Sequence, residues 1–157
     1  MRSNKLTVLL SLLVPVFFLI SSCKPDELIS PQTTYSKRDI IMSGAQEIPA
    51  VPTTGTGLMN VSYSKVTKVL SYDFTWSGLT GPITASHIHG LAPVGYPAGV
   101  VQGFTGVSAT AAGKFSGTLF VDGVRIKEDD LVNGLYYINL HTATYSGGEI
   151  RGQIRFN

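Results

Sequence analysis

From residue 38 onward, apolar and polar residues alternate with a period of two along much of the chain. In VLSYDFTWS (residues 69–77), Leu70, Tyr72, Phe74 and Trp76 fall on one side of an extended backbone, and Ser71, Asp73, Thr75 and Ser77 on the other. A helix would scatter both sets around its circumference, so the stretch predicts a strand with one buried face. GLMNVSYS (57–64) leads into it through the polar turn Ser64–Lys68 and predicts a hairpin. EIRGQIRF (149–156) alternates as cleanly, with Ile150, Gly152, Ile154 and Phe156 against Glu149, Arg151, Gln153 and Arg155. Further strands are expected near 38–43, 83–89, 100–104, 113–121 and 135–141. One short helix is expected in IKEDDLVNG (126–134). There Glu128, Asp129 and Asp130 complement the positive end of the helix dipole, and Asn133-Gly134 supplies a stop. About eight short strands broken by Gly-rich loops predict an all-β fold, a Greek-key β-sandwich or barrel with one short helix.

The first residues follow another pattern. Arg2 and Lys5 precede an almost wholly apolar run from Leu6 to Ile20, broken by Pro15. The run has the length of a signal-peptide core and falls short of the ~20 residues of a membrane-spanning helix. It ends in ISSC, which resembles the lipobox of bacterial lipoproteins and implies diacylation of Cys23 with cleavage before it. The other reading is an ordinary secretory peptide followed by a stray cysteine. The lipobox reading divides the chain into a signal peptide (1–22), an acylated Cys23 with a flexible tether (23–37) and one domain (38–157). The tether, KPDELISPQTTYSK after the cysteine, has two prolines and no periodicity. Two acyl chains hold a protein on a membrane stably, where one holds it marginally. Lys24, rather than an Asp, follows the cysteine, which points to the outer membrane, facing the periplasm or the outside.

Charge changes once the signal is set aside. The whole chain carries 12 Lys and Arg against 10 Asp and Glu. Without Arg2 and Lys5 the remainder is formally neutral, with no basic cluster to hold a nucleic acid. Cys23 is the only cysteine, so a disulfide within the chain is excluded.

Candidate chemistry concentrates on three histidines. His87 and His89 lie in TASHIHGLAPVGYPAG (84–99), and His141 lies in YINLHTATYSGGEIRGQ (137–153). On a strand through 83–89, Ile83, Ala85, His87 and His89 share a face, with both rings close enough for one zinc or copper ion. Pairing strands 135–141 and 149–156 with His141 opposite Glu149 sets Asn139 opposite Arg151 and Tyr137 opposite Gln153. All six then lie on one face, while Tyr136, Ile138 and Leu140 join Ile150, Gly152 and Ile154 in the core. His87, His89, Asn139, His141, Glu149 and Arg151 thus form a candidate polar cluster. In it Glu149 is a possible fourth ligand or imidazole partner, or a partner of Arg151. A plainer reading has these side chains hydrogen-bonding the backbone of the long loop GLAPVGYPAG. No Gly-x-Ser-x-Gly elbow, phosphate-binding Gly loop or His-Glu-x-x-His stands in the sequence, and the acidic run 128–130 lacks the alternating ligands of an EF-hand.

MSGAQEIPAV (42–51), LSYDFTWSGLTGPITASHIHG (70–90) and GLYYINLHTATYSGGEIRGQI (134–154) together resemble a CHRD (chordin-type) domain over about 41–156. The resemblance implies a compact sandwich-like extracellular module with no established enzymatic activity. It marks Glu47, Pro49, His87, His89, Gly90, Asn139, His141, Glu149, Arg151 and Gly152 as family features. A fainter likeness links SGLTGPITASHIHG to the Gly-Leu-Thr turn and His-x-His pair of Cu,Zn superoxide dismutase. It implies an eight-strand Greek key but not the activity, because that copper–zinc pair needs about six histidines and an Asp. Two functions stay open. One is a lipid-anchored, non-enzymatic binding or structural module of the cell envelope, with a protein or glycan ligand. The alternative is a mononuclear zinc or copper protein using His87, His89 and His141.

Overall fold

A computed structural model of the chain describes residues 32–157. The expected signal peptide, Cys23 and the first part of the tether lie outside the described residues. Eight strands form in chain order: β1 (Thr34–Ser43), β2 (Thr56–Ser64), β3 (Val69–Ser77), β4 (Ile83–Gly90), β5 (Val100–Gly103), β6 (Gly113–Phe120), β7 (Tyr136–Thr142) and β8 (Ile150–Gln153). The helix α1 is one short turn, Glu128–Val132, between β6 and β7. Asn133 caps it, and Gly134 takes the left-handed conformation (φ 73°) that lets the chain reverse there. Among the described residues no helix is long and apolar enough to cross a membrane.

The strands make one antiparallel sheet in the order β5-β4-β7-β8-β1-β2-β3-β6. Its two halves, β5-β4-β7-β8 and β1-β2-β3-β6, meet at one bridge, Ser43 with Arg151. Such a seam lets the sheet fold over on itself as a sandwich. The connections β3–β4, β5–β6 and β6–β7 cross between the halves, in Greek-key fashion. The far edges meet through aromatic rings: Phe104, just past β5, lies 5.7 Å from Phe115 of β6 and 5.1 Å from Tyr72 of β3. The core between the halves holds Leu70, Tyr72, Phe74 and Trp76 from β3, with Ile88, Ile138, Leu140 and Ile150 from the other side.

Most expected strands stand within a residue or two of their observed bounds, and the 57–64/69–77 hairpin forms in register from Thr56–Ser77 to Ser64–Val69. Three expectations are corrected. The tether ends earlier, because Thr34–Lys37 already pair with Val61–Ser64 as part of β1. β8 stops at Gln153, so Ile154 and Phe156 pack as apolar side chains beyond the strand. In β4 a register shift between Ile83 and Ala85 breaks the strict alternation, so Ile83 joins the core instead of the histidine face.

Candidate functional site

The second face of β4, β7 and β8 is polar and nevertheless buried. β7 pairs with β8 as Tyr137–Gln153 and Asn139–Arg151, the register expected from the alternation. β4 adds His87 opposite Asn139 and His89 opposite Tyr137. These side chains point away from the core, and the segment 91–99 folds across them. The segment presents backbone carbonyls and the polar face supplies the donors. Arg151 Nη1 donates to Tyr96 O (3.0 Å) and Gln153 Nε2 to Ala92 O (2.9 Å). His89 Nδ1 donates to Ala98 O at 2.9 Å, and the Tyr137 hydroxyl meets Ala98 as well. A carbonyl buried without a donor is costly, so the loop and the polar face require each other.

Tyr137 is the platform of this layer. The His89 ring stacks on it in parallel at 4.8 Å between centroids, and the Arg151 guanidinium carbon lies 3.3 Å from its ring centre. Arg151 is only 2% exposed. Burial works against its charge, while Tyr137 and the carboxylate of Glu47 favour it. Glu47 enters from the segment after β1 and is buried beside Asn139. Burial pushes its pKa up to about 7, against the pull of Arg151 and Asn139. Gly148 makes the room: a Cβ there would meet Glu47 Oε1 and Asn139 Nδ2, and its φ of 129° suits glycine.

The three histidines converge. One nitrogen from each ring lies within 4.8 Å of the others. His87 Nδ1 and His141 Nε2 are hydrogen-bonded at 3.0 Å, and His141 Nδ1 reaches Ser146 O at 2.9 Å. Because a carbonyl only accepts, His141 carries its proton on Nδ1, its Nε2 accepts, and His87 Nδ1 donates. By the same reasoning His89 carries its proton on Nδ1. Its buried Nε2 has no partner among the described residues. Burial, and then the neighbouring rings, lower the pKa of His87; burial also lowers that of His141, with Ser146 O pulling the other way. Both shifts favour the neutral rings.

Glu149 departs from expectation. Its carboxylate hydrogen-bonds neither His141 nor Arg151, although Asn139–Arg151 and Leu140–Ile150 pair as the register requires. Its carboxylate turns to the loops at the end of the sandwich. There it accepts from Thr53 Oγ1 (2.6 Å), Thr142 Oγ1 (2.6 Å), Thr80 Oγ1 (2.8 Å) and Thr80 N (2.8 Å). Burial raises its pKa, yet these hydrogen bonds win and hold it below the usual carboxylate value. It staples three segments together and is no ligand or imidazole partner. The structure thus gathers His87, His89, His141, Asn139 and Arg151 and leaves Glu149 out. Sequence reasoning missed Tyr137 as a stacking platform and Gln153 as a loop clamp, though both already stood on the polar face of the expected hairpin. Glu47 had no signal of its own outside the family motif.

Comparison with known proteins places residues 39–154 in one family, described as the CHRD domain. No curated protein matches, and no solved structure does.

Proposed function

We propose that the chain, which belongs to the CHRD domain family, is a non-catalytic extracellular binding or structural module, held at the bacterial cell envelope by lipid on Cys23. One observation carries the reading: a lipobox-like ISSC (20–23) stands a short tether ahead of a family match that runs from 39 to 154. Only residues 24–33 separate Cys23 from the first strand, so the module would stand close to the outer membrane. Its neutral composition after Cys23 suits an envelope protein or a glycan better than a nucleic acid. The outward face of β1-β2-β3-β6 is the surface suited to such a partner. Ser36, Ser62, Ser71 and Thr118 form a row of hydroxyls across its four strands, flanked by Arg38 and Asp73.

Metabolic labelling with an alkyne fatty acid in a bacterial host tests the anchor. The full chain should incorporate label and sediment with membranes, while Cys23→Ala should lose both the label and the membrane association. A parent chain that stays unlabelled, or a Cys23→Ala chain that labels equally, ends the lipoprotein reading.

A further inference from the structure

We propose that His87, His89 and His141 form a binding site for a single divalent transition-metal ion, copper(II) or zinc. The inference is independent of how the chain is anchored. It begins with His89 Nε2, an imidazole nitrogen buried with a free lone pair and, among the described residues, no donor to meet it. Buried polar atoms in native proteins are almost always satisfied, so an orphan of this kind asks for a partner. The lone pair cannot be filled by a tautomer change, because Ala98 O holds the proton on Nδ1.

The surroundings match what a metal requires. His141 repeats the arrangement of His89, with Nδ1 fixed on Ser146 O and Nε2 left as a donor of electrons. A backbone carbonyl on the outer ring nitrogen is one of the usual ways proteins orient a metal-binding imidazole. One nitrogen from each ring lies within 4.8 Å of the others, and His87 Nδ1 and His141 Nε2 are already 3.0 Å apart. Ligands bonded at about 2.0–2.1 Å around a tetrahedral ion sit roughly 3.3–3.4 Å from each other, so small ring movements suffice. His87 must then carry its proton on Nε2 in place of Nδ1, a tautomer shift with no net loss of a proton. His87 is also the one half-exposed ring of the three. The ion and a fourth ligand, water or an exogenous group, would arrive from its side. Three imidazoles without sulfur favour copper(II) and zinc over copper(I), and copper(II) over zinc.

The test uses the full-length chain in detergent, stripped of metal and titrated separately with copper(II) and zinc salts. The expected result is one equivalent of either ion, copper bound more tightly, and a copper EPR spectrum with imidazole-nitrogen hyperfine structure. Binding should also raise the unfolding temperature. His89→Asn and His141→Asn remove Nε2 while an amide N–H can still donate to Ala98 O or Ser146 O. His87→Gln changes a ring that holds no loop carbonyl. Each variant should keep the parent's unfolding temperature within a few degrees without metal, and should lose affinity by about a hundredfold or more. If one asparagine variant fails to fold, His87→Gln and the EPR spectrum still decide. A parent that takes up no ion, or variants that bind as well as the parent, would overturn the proposal.

Discussion

In the β1-β2-β3-β6 half, the outward positions of β3 — Ser71, Asp73, Thr75 and Ser77 — are all exposed. In the other half, every residue of β7 and β8 is buried, those on the polar face included. Alternation is equally regular in both, so the difference does not come from the strands. It comes from what lies above them. One half leaves its polar face to water; the other is roofed by the segment 91–99. Polar side chains therefore do different jobs. Hydroxyls over β3 are solvated and replaceable, whereas His89, Arg151 and Gln153 hold a layer of structure that apolar side chains could not hold. A period-two pattern marks which residues share a face, and the polar half of that pattern does not by itself mean solvent.

This contrast can be broken at graded cost. The largest effect is expected at Glu149, a fully buried carboxylate with four hydrogen bonds. Glu149→Ala should lower the unfolding free energy by about 3 kcal/mol or more in urea titrations, because charge-assisted bonds are worth roughly 1.5–3 kcal/mol each and do not simply add. Arg151→Ala comes next, at about 2–3 kcal/mol, since Tyr96 O loses a donor and the Tyr137 ring its cover. Proteolysis within 91–99 should quicken in the same variant, as the roof loosens.

Glu47 sharpens the comparison through pH. Its folded-state pKa of about 7 lies above the ordinary 4.5, so the folded protein holds this proton more tightly than the unfolded chain. Its contribution is present in full below pH 4.5 and is lost as pH rises to 7, by up to about 3 kcal/mol. Glu47→Gln should flatten that stretch of the stability–pH curve and gain on the order of 1–3 kcal/mol at pH 8. A parent whose stability rises across this window, with the glutamine variant unchanged, would remove Glu47 from the account. The smallest effect is expected on the open half: Ser71→Ala should change stability by no more than about 0.5 kcal/mol. A loss of 2 kcal/mol or more there, on the scale of a buried hydrogen bond, would erase the distinction between the halves.

Much of the frame is legible in the sequence. The strand set, the 57–64/69–77 hairpin, the helix stop at Asn133-Gly134 and the β7–β8 register all follow from local pattern and turn chemistry, which act over a few residues. The convergence of His87, His89 and His141 is half legible, because His-x-His shares a face by geometry while His141 comes from a strand 52 residues on. Glu149 misleads for a physical reason. Register assigns a side, but beyond the last paired residue the chain is free to twist, and Thr53, Thr80 and Thr142 offer four donors together where His141 offers none. Ile83 misleads similarly, because a bulge is invisible to a period of two. The roof itself is hidden, since an apolar loop with five prolines and glycines among the ten residues 90–99 carries no mark of what it covers.

That roof is fastened by its backbone. The atoms clamped by Arg151, Gln153 and His89 are the carbonyls of Tyr96, Ala92 and Ala98, while the side chains of Leu91, Val94 and Tyr96 face outward and are about half exposed or more. The segment is thus a frame whose lettering can be rewritten. Diversified at 91, 94 and 96, it would serve as a display loop, in the manner of a recognition surface on a constant scaffold, with the buried layer beneath indifferent to what is written above it.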